Sequence, residues 1–150
     1  METTLRKNQG CAAMAGIVSV YYADIDIINN FLPNGDGVKC TVHSGHTWSE
    51  IQGDSFEASS SYEAGQGYRH TVDITYHGNQ TSVSRILDEM TKRRFILKCD
   101  DYNGTRWIYG TPDTPLRFTF SSVNDGDAAG ETAFKLHFEA LCPMPEMKMQ

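Results

Sequence analysis

The sequence predicts a mainly β domain: an antiparallel β-sandwich or partly closed barrel with one packed α-helix. Three observations carry this. Apolar residues alternate with polar ones along Tyr68–Tyr76, Leu116–Phe120 and Thr132–Leu141, the mark of half-buried strands. One stretch alone keeps a helical period: Val83, Ile86, Leu87 and Met90 recur at i, i+3, i+4 and i+7. Asn103-Gly104 divides two strand-like runs, Phe95–Cys99 and Thr105–Tyr109, as a hairpin turn does. A lone amphipathic helix needs a sheet to cover.

In chain order, Met1–Gly10 reads as a loose polar arm. Ile17–Tyr22 has strand chemistry. Asp24-Ile25-Asp26-Ile27 alternates, with both aspartates on one wet face. Pro33–Gly37 is a turn and Val38–Val42 a short strand. Thr47–Gly53 has no clear period. Glu57–Gly67 is soft and polar, and reads as an exposed loop that orders on contact with another chain. Tyr68–Tyr76 puts Val72, Ile74 and Tyr76 on one face, and His77-Gly78-Asn79 turns into the helix. Thr81 or Ser82 caps a helix over Thr81–Thr91. Its stripe is Val83, Ile86, Leu87 and Met90, and Lys92, Arg93 and Arg94 suit the carboxyl end of the dipole. After the hairpin, Gly110–Pro115 is a rigid turn. Leu116, Phe118 and Phe120 match Phe134, Leu136 and Phe138, so these two strands pair antiparallel. Between them, Ser121–Glu131 is a crossing, and its Asn124–Asp127 segment is a solvated turn that lacks the spacing of a calcium loop. Cys142-Pro143-Met144-Pro145 ends the sheet. The chain is one domain over 1–150, with 1–10 and 143–150 as flexible tails.

With 150 residues, the chain can bury a sizeable core, and seven Phe, seven Tyr and two Trp supply its bulk. A formal charge of −6 argues against binding nucleic acid by phosphate neutralisation. Cys11, Cys40, Cys99 and Cys142 form no CxxC pair and read as free thiols. The patch Cys11–Val18 is too short and weakly apolar for a signal peptide or a membrane span. Cys40, His43 and His46 stand three apart, but a tight Gly-Ser turn without a fourth ligand is a poor zinc site. No metal and no cofactor is expected. The chain has no Gly-x-Ser-x-Gly elbow, His-Glu-x-x-His, phosphate loop or dinucleotide fingerprint, so no catalytic residue is assigned. Tyr102, Trp107 and Tyr109, with Trp48 and Tyr62, are the candidates for an interface or a binding platform.

The segment from Leu97 to Phe138, and above all Ile108-Tyr-Gly-Thr-Pro-Asp-Thr-Pro-Leu-Arg-Phe118, resembles virion or tail structural proteins coded in prophages of gut Bacteroidetes. The order of strands and helix also resembles the tail tube family of long-tailed phages. That resemblance implies a β-sandwich flanked by one helix, with an extended hairpin loop that either Cys40–Gly53 or Ser59–Gly67 would supply. It implies hexameric rings stacked into a tube, partners that are copies of the chain and other tail proteins, and no membrane or sequence-specific nucleic-acid binding. It places the chain in the host cytoplasm during assembly and then in the virion. An acidic subunit suits a DNA conduit, because a negative lumen repels the passing phosphates. A different reading is a glycan- or peptide-binding sandwich that uses the hairpin aromatics. A third is a small hydrolase using His43, His46 or His77.

Overall fold

The computed structural model describes residues 16–35, 37–78, 80–123 and 132–149. Among them are eleven strands and one α-helix. The strands are β1 (Ile17–Asp24), β2 (Ile28–Asn34), β3 (Gly37–Val42), β4 (Ser49–Ile51), β5 (Ser55–Glu63), β6 (Gly67–Gly78), β7 (Arg94–Asp101), β8 (Arg106–Tyr109), β9 (Leu116–Val123), β10 (Thr132–Cys142) and β11 (Met147–Met149). The helix, α1, is Gln80–Met90. The Met1–Gly10 arm, Cys11 and the Asn124–Asp127 turn lie outside the described residues.

The architecture turns on β7. One of its edges carries β1 along nearly its whole length, from Ile17↔Asp101 to Asp24↔Phe95. The other edge is divided. Leu97–Asp100 pair with Tyr109–Arg106 of β8, while Arg94 and Phe95 pair with Arg117 and Leu116 of β9. The ladder therefore splits at β7 into two layers. The larger runs β4-β1-β7-β8-β11-β3-β2, and the smaller β9-β10-β6-β5. One pairing, β11 with β3, is parallel, so the sheet is mixed rather than wholly antiparallel. It does not close into a barrel.

Two cores follow from this split. Val20, Leu97, Cys99, Trp107 and Tyr109 of the larger layer meet Val72, Ile74, Phe118, Phe134, Leu136 and Phe138 of the smaller. Phe138 is the aromatic centre, with ring centroids 4.8 Å from Phe118 and 6.0 Å from Phe95. The predicted partnership of the two Phe-rich strands holds, in the register Phe118↔Phe138 and Phe120↔Leu136. The second core lies on the opposite face of β7 and β8. Val38, Cys40, Ile96, Ile108 and Met147 form it, edged by Phe31 and Trp48. β7 is thus buried on both faces, which is why Phe95, Ile96, Leu97 and Cys99 are all apolar, with Lys98 the one charge among them.

Four local expectations change. The stretch from Glu57, read as an exposed loop, is mostly strand β5, and only Ala64–Gln66 remain as a turn. Its inner face carries Phe56, Ala58 and Ser60, of which Phe56 alone is large and apolar, so no hydrophobic alternation shows, and β6 supplies the ladder. Asp24–Ile27 is not extended: Ile25–Ile27 form a 3₁₀ turn, with Asp24 Oδ1 accepting from the Asp26 N–H at 3.0 Å. Residues 143–150 are not simply a tail, because Met147–Met149 join the sheet through partners distant in sequence. Finally, α1 buries Leu87 and Met90 and half-buries Val83, but Ile86 is 59% exposed. At about 100° per residue Ile86 stands about 60° from Val83, at the margin of the stripe.

Candidate assembly surfaces

The five aromatic candidates do not converge. Tyr102 stands in the hairpin turn and is 81% exposed. Its ring lies against Gly16, where a Cβ would clash with it. Trp107 is 7% exposed and Tyr109 fully buried, so neither presents a platform. They alternate with Arg106 and Ile108, and the face they share is the main core. Trp107 Nε1 donates to Asp101 Oδ2 at 3.0 Å. The same carboxylate accepts the backbone N–H groups of Asn103 and Thr105, each at 2.9 Å. Gly104 takes φ +79° to close this turn. Trp48 is half-buried over the second core. With Tyr21 it flanks the Lys98 ammonium, whose distances to the two ring centroids are 4.9 and 4.8 Å. Burial lowers the Lys98 pKa. Tyr62 is 65% exposed and packs edge-on against Tyr68 at 5.2 Å.

The histidines named in the sequence also stay apart. His43 and His46 are exposed in the turn after β3, while Cys40 is buried. Burial pushes its thiol up to about 11, against the lowering pull of Lys98. His77 pairs with Asp54. No cluster of three His, Cys, Asp or Glu residues suited to a metal occurs among the described residues. Cys40, Cys99 and Cys142 are free and buried.

One polar cluster was missed. His70 of β6 is 1% exposed. Its Nε2 lies 2.9 Å from the Met144 carbonyl and its Nδ1 2.7 Å from Ser60 Oγ. A carbonyl only accepts, so Nε2 carries the proton and Ser60 donates to Nδ1. Burial lowers the imidazole pKa, and the Met144 bond opposes it. A serine hydroxyl on an imidazole can serve as a nucleophile–base pair. Here the third partner is a backbone carbonyl, and neither residue lines the two cavities beside α1, the one at Phe56 and Lys135 or the one at Phe31 and Met144. What the cluster does is tie Met144 to β6. His70 shares the parity of Val72 and Ile74, the one sign in the sequence that it faces inward.

The outer face of β9-β10-β6-β5 is a continuous polar surface. Its rows follow the register: Arg117–Glu139–Thr71–Ser59, then Thr119–His137–Asp73–Glu57, then Ser121–Lys135–Thr75–Ser55. The charges pair across strands. Arg69 meets Glu63 at 2.6 Å and Glu139 at 3.0 Å. Its guanidinium holds the Glu63 carboxyl below the usual range. His137 lies 2.6 Å from Asp73, and Ser59 bonds Thr71 at 2.6 Å. This layer ends at β5, nine residues long, which pairs with β6 alone among the described strands. At the other end of the ladder, β2 pairs only with β3 among the described strands and carries Pro33 and the exposed Leu32. An open edge offers unpaired backbone donors and acceptors to another strand.

No family model matches the chain, and neither does any curated protein or solved structure.

Proposed function

We propose that this chain is a structural subunit of a phage-like particle that works by self-assembly, with the tail tube as its specific form. One observation carries the reading. The four-stranded layer is polar outside, apolar inside and ends at β5, whose outer edge meets no further strand among the described residues. Copies laid edge to edge continue such a layer around a ring, and stacked rings make a tube. The sandwich with one flanking helix supports the same reading, since the resembled family has that layout. The partners are then copies of the chain and other tail proteins, and the site of action is the assembling particle.

Concentrated protein, followed by light scattering and negative-stain microscopy, tests this. Rings or tubes are expected. The double variant Ser59→Lys, Ser61→Lys puts two charges on the edge strand and should abolish them while leaving the denaturant melt near that of the parent. A strictly monomeric protein that binds a glycan through Tyr62 or Tyr102 would replace the proposal with a binding module. Turnover in a hydrolase screen, lost in Ser60→Ala, would replace it with an enzyme. Tape-measure, portal and terminase genes beside the coding sequence are a further expectation.

A further inference from the structure

The hairpin β2–β3 joins the rest of the hydrogen-bonded ladder through β11 alone among the described strands. That bridge is slight. Lys148 and Met149 pair with Gly37 and Val38 on one side, and Met147 and Lys148 pair with Ile108 and Trp107 on the other. Met147 is its one deeply buried side chain, set among Val38, Cys40, Ile96 and Ile108. The segment that leads to it, Pro143-Met144-Pro145-Glu146, lacks two backbone donors. A cavity of about 250 Å³ opens beside it, lined by Phe31, Pro33, Pro112, Thr114, Pro143 and Met144. The bond from His70 to the Met144 carbonyl spans this same segment.

A three-residue strand on a proline-rich connector, in a slot built by other elements, has the parts needed for strand exchange. We propose that the slot between β8 and β3 accepts Met147–Met149 of a second copy of this chain when the protein assembles. The inference rests on the self-assembly reading and names the element that is exchanged. A second copy is the occupant because it supplies the same strand, so the Met147 seat and both ladders are rebuilt without a new contact. Prolines favour an extended connector, and once the bond from His70 to the Met144 carbonyl is released its four residues span about 12 Å at about 3.1 Å each. Short connectors of this kind invite exchange. Each copy gives one strand and receives one, which is a head-to-tail contact that closes into a ring or continues as a filament.

Paired cysteines test it. Val38 and Met149 are register partners. Chains carrying V38C alone and M149C alone are mixed, assembled and then oxidised. Exchange yields a disulfide-linked dimer of the two variants, and M149C by itself, the control for native thiols, yields none. In the double variant V38C/M149C, oxidised while monomeric, the strand is locked at home, and assembly should wait for reductant. Lys148→Pro provides a second variant that receives a strand but gives none. Added at one part in ten, it should shorten the assemblies several-fold. Assemblies that form without the mixed cross-link, with the locked chain assembling as the parent does and Lys148→Pro having no effect, would overturn the exchange and leave self-assembly standing. Protein that remains monomeric throughout would overturn both.

Discussion

Asp101 shows how much one side chain settles in this fold. Its buried carboxylate accepts from the Trp107 indole and from two backbone N–H groups of the hairpin turn. Asp101→Ala leaves those donors without their acceptor. The expected loss is about 3 kcal/mol in a denaturant melt, with a shift in the fluorescence of Trp107, and Asp101→Asn should lose less. His70 makes the second prediction. Burial lowers its folded pKa below the ordinary 6.5. At higher pH the ring is neutral in both states, and its contribution is intact. As pH falls through the unfolded value, the unfolded chain takes up a proton that the folded chain refuses, and stability drops until the folded pKa is reached. Urea melts from neutral to mildly acidic pH should show this decline, with a smaller slope in His70→Gln. Neither role was legible in the sequence. Asp101 looked like a turn residue, and Trp107 and Tyr109 looked free to meet a ligand. Their alternation was visible, but which of two faces was buried was not, because β7 and β8 are covered on both sides.

At the scale of elements, legibility followed the strength of the local pattern. The helix was predicted to within one residue at each end, since Val83, Leu87 and Met90 lie close together on its surface. Leu87→Ala should cost about 2–5 kcal/mol, and Ile86→Ala should stay within about 0.5 kcal/mol, both read from denaturant midpoints. The Phe-rich strands β9 and β10 announced their pairing through size and period. β5 did not, because after Phe56 its inner face continues with Ala58 and Ser60, which carry no hydrophobic signal. β11 did not, because three residues after two prolines make a strand only when distant partners hold them. Gly67 marks a further join. At φ +122°, a Cβ there would lie 2.4 Å from the Cys142 carbonyl oxygen, so the close approach of the β5–β6 turn to the end of β10 requires glycine.

For the whole molecule, the order of strands in space differs from their order in sequence. β1 lies between β4 and β7, and most of its length has no ladder until β7 has been made. At about 5–20 residues per second, the roughly 70 residues between them occupy a ribosome for about 3–14 s. During that interval Ile17, Val20 and Tyr22 lack their main cover, and the nascent chain holds an uncapped, sticky strand. Chains stalled after Met90 should therefore be cut readily by protease near β1, and full-length chains should resist. The β1 edge of β7 thus sets a schedule as well as a shape: an early strand waits for a late one, and a chaperone or slow elongation has its greatest effect in that window.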